Sequence, residues 1–177
     1  EDRLGVCMQP GATHALYGTH NRLLGLGDGL YLEVIAKDPD AVPEAGHAWF
    51  GLDDFTGPPR LANWICQTED LGQWAAVTGM PRALARGDLA WQITVPDDGS
   101  LPMGGGCPTL IRWAEGASHP AAQLPETGCR LTHFAVQHPQ ADTILAHITL
   151  DDPRVTLSVE PLAMQATFDT PHGVRML

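Results

Sequence analysis

Glu33 stands in the middle of an apolar run, Leu30-Tyr31-Leu32-Glu33-Val34-Ile35, directly after a Gly27-Asp28-Gly29 turn. An Asp between two glycines suits the positive φ of a tight turn, so Gly18 to Ile35 reads as a β-hairpin. Period-two alternation puts Tyr31, Glu33 and Ile35 on one face of its second strand and Leu30, Leu32 and Val34 on the other. Both faces are predicted to be buried. A carboxylate there loses hydration that a cation, a metal ion or several hydrogen-bond donors must replace. The preceding strand, Gly18-Thr19-His20-Asn21-Arg22-Leu23-Leu24, carries candidates for that role. Hairpin register selects among them: a two-residue loop puts His20 and Arg22 on the face of Glu33, whereas a three-residue loop puts Asn21 and Leu23 there. His20, and His14 upstream of it, could ligate a metal or exchange protons, because an unperturbed imidazole titrates at about pH 6.5.

The elements that position these residues include an internal repeat. At an offset of 70 residues, Arg60-Leu61-Ala62-Asn63-Trp64-Ile65-Cys66-Gln67 aligns with Arg130-Leu131-Thr132-His133-Phe134-Ala135-Val136-Gln137. Each stretch reads as a strand followed by a helix. The first helix carries Leu71, Trp74, Ala75 and Thr78 at helical spacing, with Thr68 as N-cap and Gly79 then Pro81 as the stop. The second has Pro139 in its first turn and a stripe of Ala141, Ile144, Leu145 and Ile148. Strands follow over 82–86, 88–95 and 108–113 in one unit and over 154–159, 163–169 and 172–177 in the other, so the unit is βαβββ. The opening hairpin reads as the last strands of a further such unit, with Gly5 stopping a helix. A strand and most of a helix, about 20–25 residues, are then expected to precede Glu1. The glycine-rich Asp97 to Gly106 segment lacks the Lys-Ser/Thr pair of a phosphate cradle and reads as a mobile loop beside a pocket.

Composition bounds the partners. The 177 residues suit one domain with a sizeable core, or two small lobes sharing one. Ten Lys plus Arg against 21 Asp plus Glu give a net charge of −11, which repels phosphate backbones and anionic membranes, so neither nucleic acid nor membrane is expected as a partner. No apolar run approaches the roughly 20 residues of a bilayer span. Cys7, Cys66, Cys107 and Cys129 lie far apart without CxxC spacing, which points to buried free thiols in a reducing cytoplasm.

The repeated βαβββ pattern, Gly18 to Leu24 and Tyr31 to Ile35 together resemble the glyoxalase-like domain of the vicinal oxygen chelate superfamily, as do Arg60 to Ile65, Ile93 to Pro102 and Pro108 to Trp113. The resemblance covers residues 1 to about 113 well, as paired units of which the first lacks its opening strand; residues 114–177 read as a third, partial or divergent unit. It implies an α+β fold in which curved mixed sheets surround a cavity, with helices on the convex side. Its reactions are of lyase, isomerase or oxygenase type on a small organic molecule, and metal-free ligand-binding proteins share the fold. A homodimer is an open assembly.

In that family a divalent ion (Zn, Mn, Fe, Ni or Mg) is held by the first and last strands of each unit and acts as a Lewis acid. Glu33 matches a last-strand carboxylate. Asn63 and Arg112 fall at the matching positions of the second unit, where an amide is a poor ligand and an arginine is none. Three readings stay open. In one, Glu33 with His20 or a residue upstream of Glu1 holds a metal, and Glu33 and His20 act as the catalytic pair; in the second, Glu33 pairs with Arg22 or Arg112 and no metal binds; in the third, the repeats serve only as structure in an interaction module. Asn21, Arg22, Asn63, Trp64, Arg112 and Trp113 are the expected ligand contacts, with Trp64, Trp91 and Trp113 as an aromatic wall. His133, at the repeat position of Asn63, reads as a packing histidine.

Overall fold

A computed structural model describes residues 1–177. The fold is α+β and built mainly of three sheets, two of them mixed. β1 (Gln9–His14), β2 (Thr19–Gly27) and β3 (Leu30–Lys37) form an antiparallel sheet in that order. The second sheet contains β4 (Ile65–Gln67), β5 (Met80–Arg86), β6 (Leu89–Val95) and β7 (Thr109–Trp113) in the order β4-β7-β6-β5, with β4 parallel to β7. In the third, β8 (Arg130–Gln137), β9 (Val155–Ser158), β10 (Ala163–Thr170) and β11 (Gly173–Met176) take the order β11-β10-β8-β9. The helices are α1 (Ala75–Thr78), α2 (Pro120–Gln123) and α3 (Ala141–His147).

The first sheet is packed on both faces along the first half of β3, but the face expected to bury Leu30, Leu32 and Val34 opens to solvent at Val34, which is exposed near the end of the strand. Leu24 and Leu26 of β2 join Phe134, Val136, Ala166 and Phe168 of the third sheet in one core cluster, against which Leu30 and Leu32 pack. On the opposite face, Ile35 packs against a second cluster containing Trp49, Phe50, Ile93, Val95 and Ile111. Burying side chains of this size stabilises by roughly 1.5–3 kcal/mol each. Glu33 points to this second side, toward β6 and β7.

Several sequence expectations change. The βαβββ order occurs twice, yet the repeat strands occupy unlike places: β4 is a three-residue edge strand, whereas β8 is interior, antiparallel to β10 and parallel to β9. The helix expected after Thr68 shrinks to one turn because Trp74 adopts left-handed φ 51°. Thr68 instead accepts from Asp70 N at 3.1 Å in a local turn. The glycine-rich segment is close-packed, with a short 3₁₀ turn at Pro102–Gly105. A Cβ on Gly105 would meet Ala62 O at 2.3 Å, and one on Gly106 the His138 ring at 2.4 Å. These glycines permit contact between chain segments. All four cysteines are free, and Cys7 is exposed.

Candidate functional site

The β2–β3 hairpin closes with a two-residue Asp28-Gly29 loop, yet Leu26 is bulged out of the ladder between Gly25 and Gly27. That extra residue shifts everything upstream by one position, so Leu23 lies opposite Glu33. Asn21 and Leu23 therefore share the face of Glu33. His20 and Arg22 project from the other face and are exposed, so neither is brought to Glu33 as catalytic partner, metal ligand or counter-ion.

A second bulge completes the arrangement. β1 slips register between Pro10 and Thr13, which takes Ala12 N out of the ladder, and Asn21 Oδ1 accepts from it at 2.7 Å. Asn21 Nδ2 then donates to Glu33 Oε1 at 2.6 Å. This bond favours the carboxylate, as does the Arg86 charge, but burial outweighs both and pushes the Glu33 carboxyl above its usual range.

The carboxyl borders a cavity of about 50 Å³. Leu23, Trp49, Phe50, Ile93 and Ile111 form its buried side, and the half-buried Tyr31, Trp91, Trp113 and Pro120 close it toward solvent. Its polar groups come from Glu33, Asn21, His14 and Arg86. Trp49 Nε1 donates to Thr19 Oγ1 at 3.0 Å, and Thr19 Oγ1 lies 3.0 Å from His14 Nδ1. The hydroxyl accepts from Trp49 and shares a second hydrogen bond with His14 Nδ1, which holds the imidazole in place against the indole. Burial, with Arg86 and His20 charges, pushes the His14 pKa down to about 4. Burial also raises the Tyr31 phenol.

Of the expected contacts, Asn21 and Trp113 line this cavity, with Trp91 beside it. Trp64 is buried in the core and donates to Gly105 O at 3.1 Å. Asn63 Oδ1 accepts from Thr109 Oγ1 at 3.2 Å. Arg112 donates to Glu69 O and to Gln92 Oε1, on the opposite face of the second sheet from the cavity. His133 is exposed, with Nε2 3.1 Å from Thr156 Oγ1. A larger recess of about 310 Å³, where the site was not expected, is lined by Cys66, Gln67, Thr68, Glu69, Gln73, Leu110, Thr149 and Asp151. It has no cationic or aromatic lining side chain, and burial pushes the Cys66 thiol up to about 12, so it offers no nucleophile.

Arg86, Trp49 and Phe50 were missed. Alternation places Arg82, Leu84 and Arg86 on one face of β5, across from Ile93, Trp91 and Leu89. That apolar company was the available signal for Arg86.

The model of the glyoxalase-like domain family matches residues 1–149, which take in the first two sheets, β8 and α3. The chain belongs to the glyoxalase-like family. No curated protein and no solved structure matches it. Glyoxalase-like proteins often use divalent metals. The donors around Glu33 do not fit one: no group of three His, Cys, Asp or Glu side chains comes together, His14 Nδ1 is occupied by Thr19, and a cationic Arg86 borders the same space. No helix is long and apolar enough to cross a membrane.

Proposed function

We propose that this glyoxalase-like protein acts on a small organic molecule in the Glu33 cavity, and that Glu33 moves a proton on that molecule in a reaction of lyase or isomerase type. The observation that carries this reading is a carboxyl group with a raised pKa at the wall of an aromatic cavity, held by a single side-chain hydrogen bond from Asn21. A general base or acid works best when its pKa lies near the operating pH, and burial moves a carboxyl in that direction. Asn21 orients the group and leaves Glu33 Oε2 free to face the ligand. The tryptophans exclude water and offer flat apolar surface. A second reading, ligand binding without turnover, uses the same residues, with Glu33 as a hydrogen-bonding group only.

The test incubates the protein in D₂O with small enolisable carbonyl compounds, charged and neutral, and follows α-proton exchange by NMR. Exchange of at least one compound above background, reduced about 100-fold or more in Glu33→Gln, is the expected result. Binding without exchange selects the second reading. Neither exchange nor binding by any compound overturns both.

A further inference from the structure

Arg86 is a cation without an ion-pair partner in a cavity whose lining is mainly aromatic and aliphatic. The five ion pairs of the molecule use Lys37, Arg82, Arg130 and Arg154. Its guanidinium also makes no side-chain hydrogen bond, whereas Arg112 in the same sheet makes two, to Glu69 O and Gln92. Arg86 lies within the same cavity lining as Glu33 yet forms no salt bridge with it. A guanidinium has five donors in a flat fork that matches a carboxylate, and Trp91 and Trp113 lie in the same lining.

We infer that the ligand is a planar organic monoanion, a carboxylate whose charged end is taken by Arg86 and whose body lies along Trp91 and Trp113. The enclosed space supports that division: about 50 Å³ holds a few waters or a carboxylate-sized group, not a whole aromatic ring. The ring therefore lies on the half-buried side of the cavity, where both tryptophans are partly exposed. A phosphate monoester, as a dianion, is disfavoured because a single guanidinium leaves one of its two charges uncompensated in a recess walled by apolar side chains. With a net charge of −11 the chain as a whole repels anions, so a guanidinium without an ion pair in this recess is a selective anchor for one.

This inference rests on the small-molecule reading above, and the experiment separates the two. Two pairs matched in shape and differing in charge are titrated against tryptophan fluorescence: benzoate with benzamide, and acetate with acetamide. The expected result is that benzoate binds about 10- to 100-fold more tightly than benzamide, with the acetate pair showing the same preference more weakly. Arg86→Gln should abolish that preference while leaving benzamide affinity within about twofold, and Arg86→Lys should restore part of it. Equal binding of benzoate and benzamide to the wild type, or a preference that survives Arg86→Gln, overturns the anionic ligand and leaves the small-molecule cavity standing. If no member of either pair binds, the cavity reading falls and the anion inference with it. The wild-type comparison decides even if a variant fails to fold.

Discussion

Asn21 and Glu33 are diagonal neighbours across the β2–β3 ladder, and the Asn21 amide ties the Glu33 carboxyl at 2.6 Å to the bulged backbone of β1 through Ala12 N at 2.7 Å. One side chain thus satisfies a stray backbone donor and a desolvated carboxyl together. Asn21→Ala removes both bonds and should cost about 1–3 kcal/mol. Gly11→Ala should do similar damage from the other side, since its Cβ would fall 1.8 Å from Asn21 Oδ1. Urea unfolding of the two variants checks this; stability within about 0.5 kcal/mol of wild type for both would show that the bridge contributes little.

Glu33→Gln tests the raised carboxyl. A group whose folded pKa exceeds its unfolded value favours folding below the unfolded pKa, and that contribution is lost as pH rises through the folded pKa. The ionised Glu33 is therefore a liability at neutral pH that the amide removes while keeping an acceptor for Asn21. Glu33→Gln should melt higher than wild type at pH 7–8, by roughly 2–4 °C for each kcal/mol relieved. The gain should vanish at acid pH, where Glu33 is protonated in both states. A melting temperature lower than wild type at pH 8 contradicts the assignment.

His14 predicts the opposite slope. Its pKa is held down to about 4 by burial first, then by the Arg86 and His20 charges, while Thr19 and Trp49 occupy its other side. The unfolded chain binds a proton near the ordinary value and the folded chain does not, so stability falls as pH drops from about 6.5 toward 4. The loss should be about 1–3 kcal/mol, reduced from the full shift because the side chain is only half-buried. His14→Gln should flatten this limb of the stability–pH curve, measured by urea unfolding. An unchanged acid limb would place the titration elsewhere.

Zn²⁺ or Mn²⁺ in excess should leave the melting temperature of the native protein unchanged, and EDTA should have no effect on protein purified without chelators. The donor set around Glu33 supports this expectation. Stoichiometric metal that is lost in Glu33→Gln would reverse it.

The alternation around Glu33 and the Gly27-Asp28-Gly29 turn were enough to place a desolvated carboxyl on the second strand of a hairpin, because side-chain period and turn chemistry are local properties of the chain; that Val34 is exposed was not legible there. The family was legible for the same reason, its strands and turns being spread along the sequence as short patterns. The partner of Glu33 was not. A single bulged residue, Leu26, exchanges His20 and Arg22 for Asn21 and Leu23, and both registers suit the local sequence equally. Only packing decides between them. The bulged register turns Leu24 into the core shared with the third sheet and leaves the polar side chains of His20 and Arg22 in water, which the other register would reverse. Arg86 is a similar case: beside a Gly87-Asp88 turn it reads as a surface cation, and it becomes a cavity residue once the second sheet closes over the first. The offset repeat misled in the third sheet because strand order depends on long-range pairing. β4 and β8 share a short sequence pattern, but β4 pairs with β7 alone at a sheet edge, whereas β8 lies between β10 and β9.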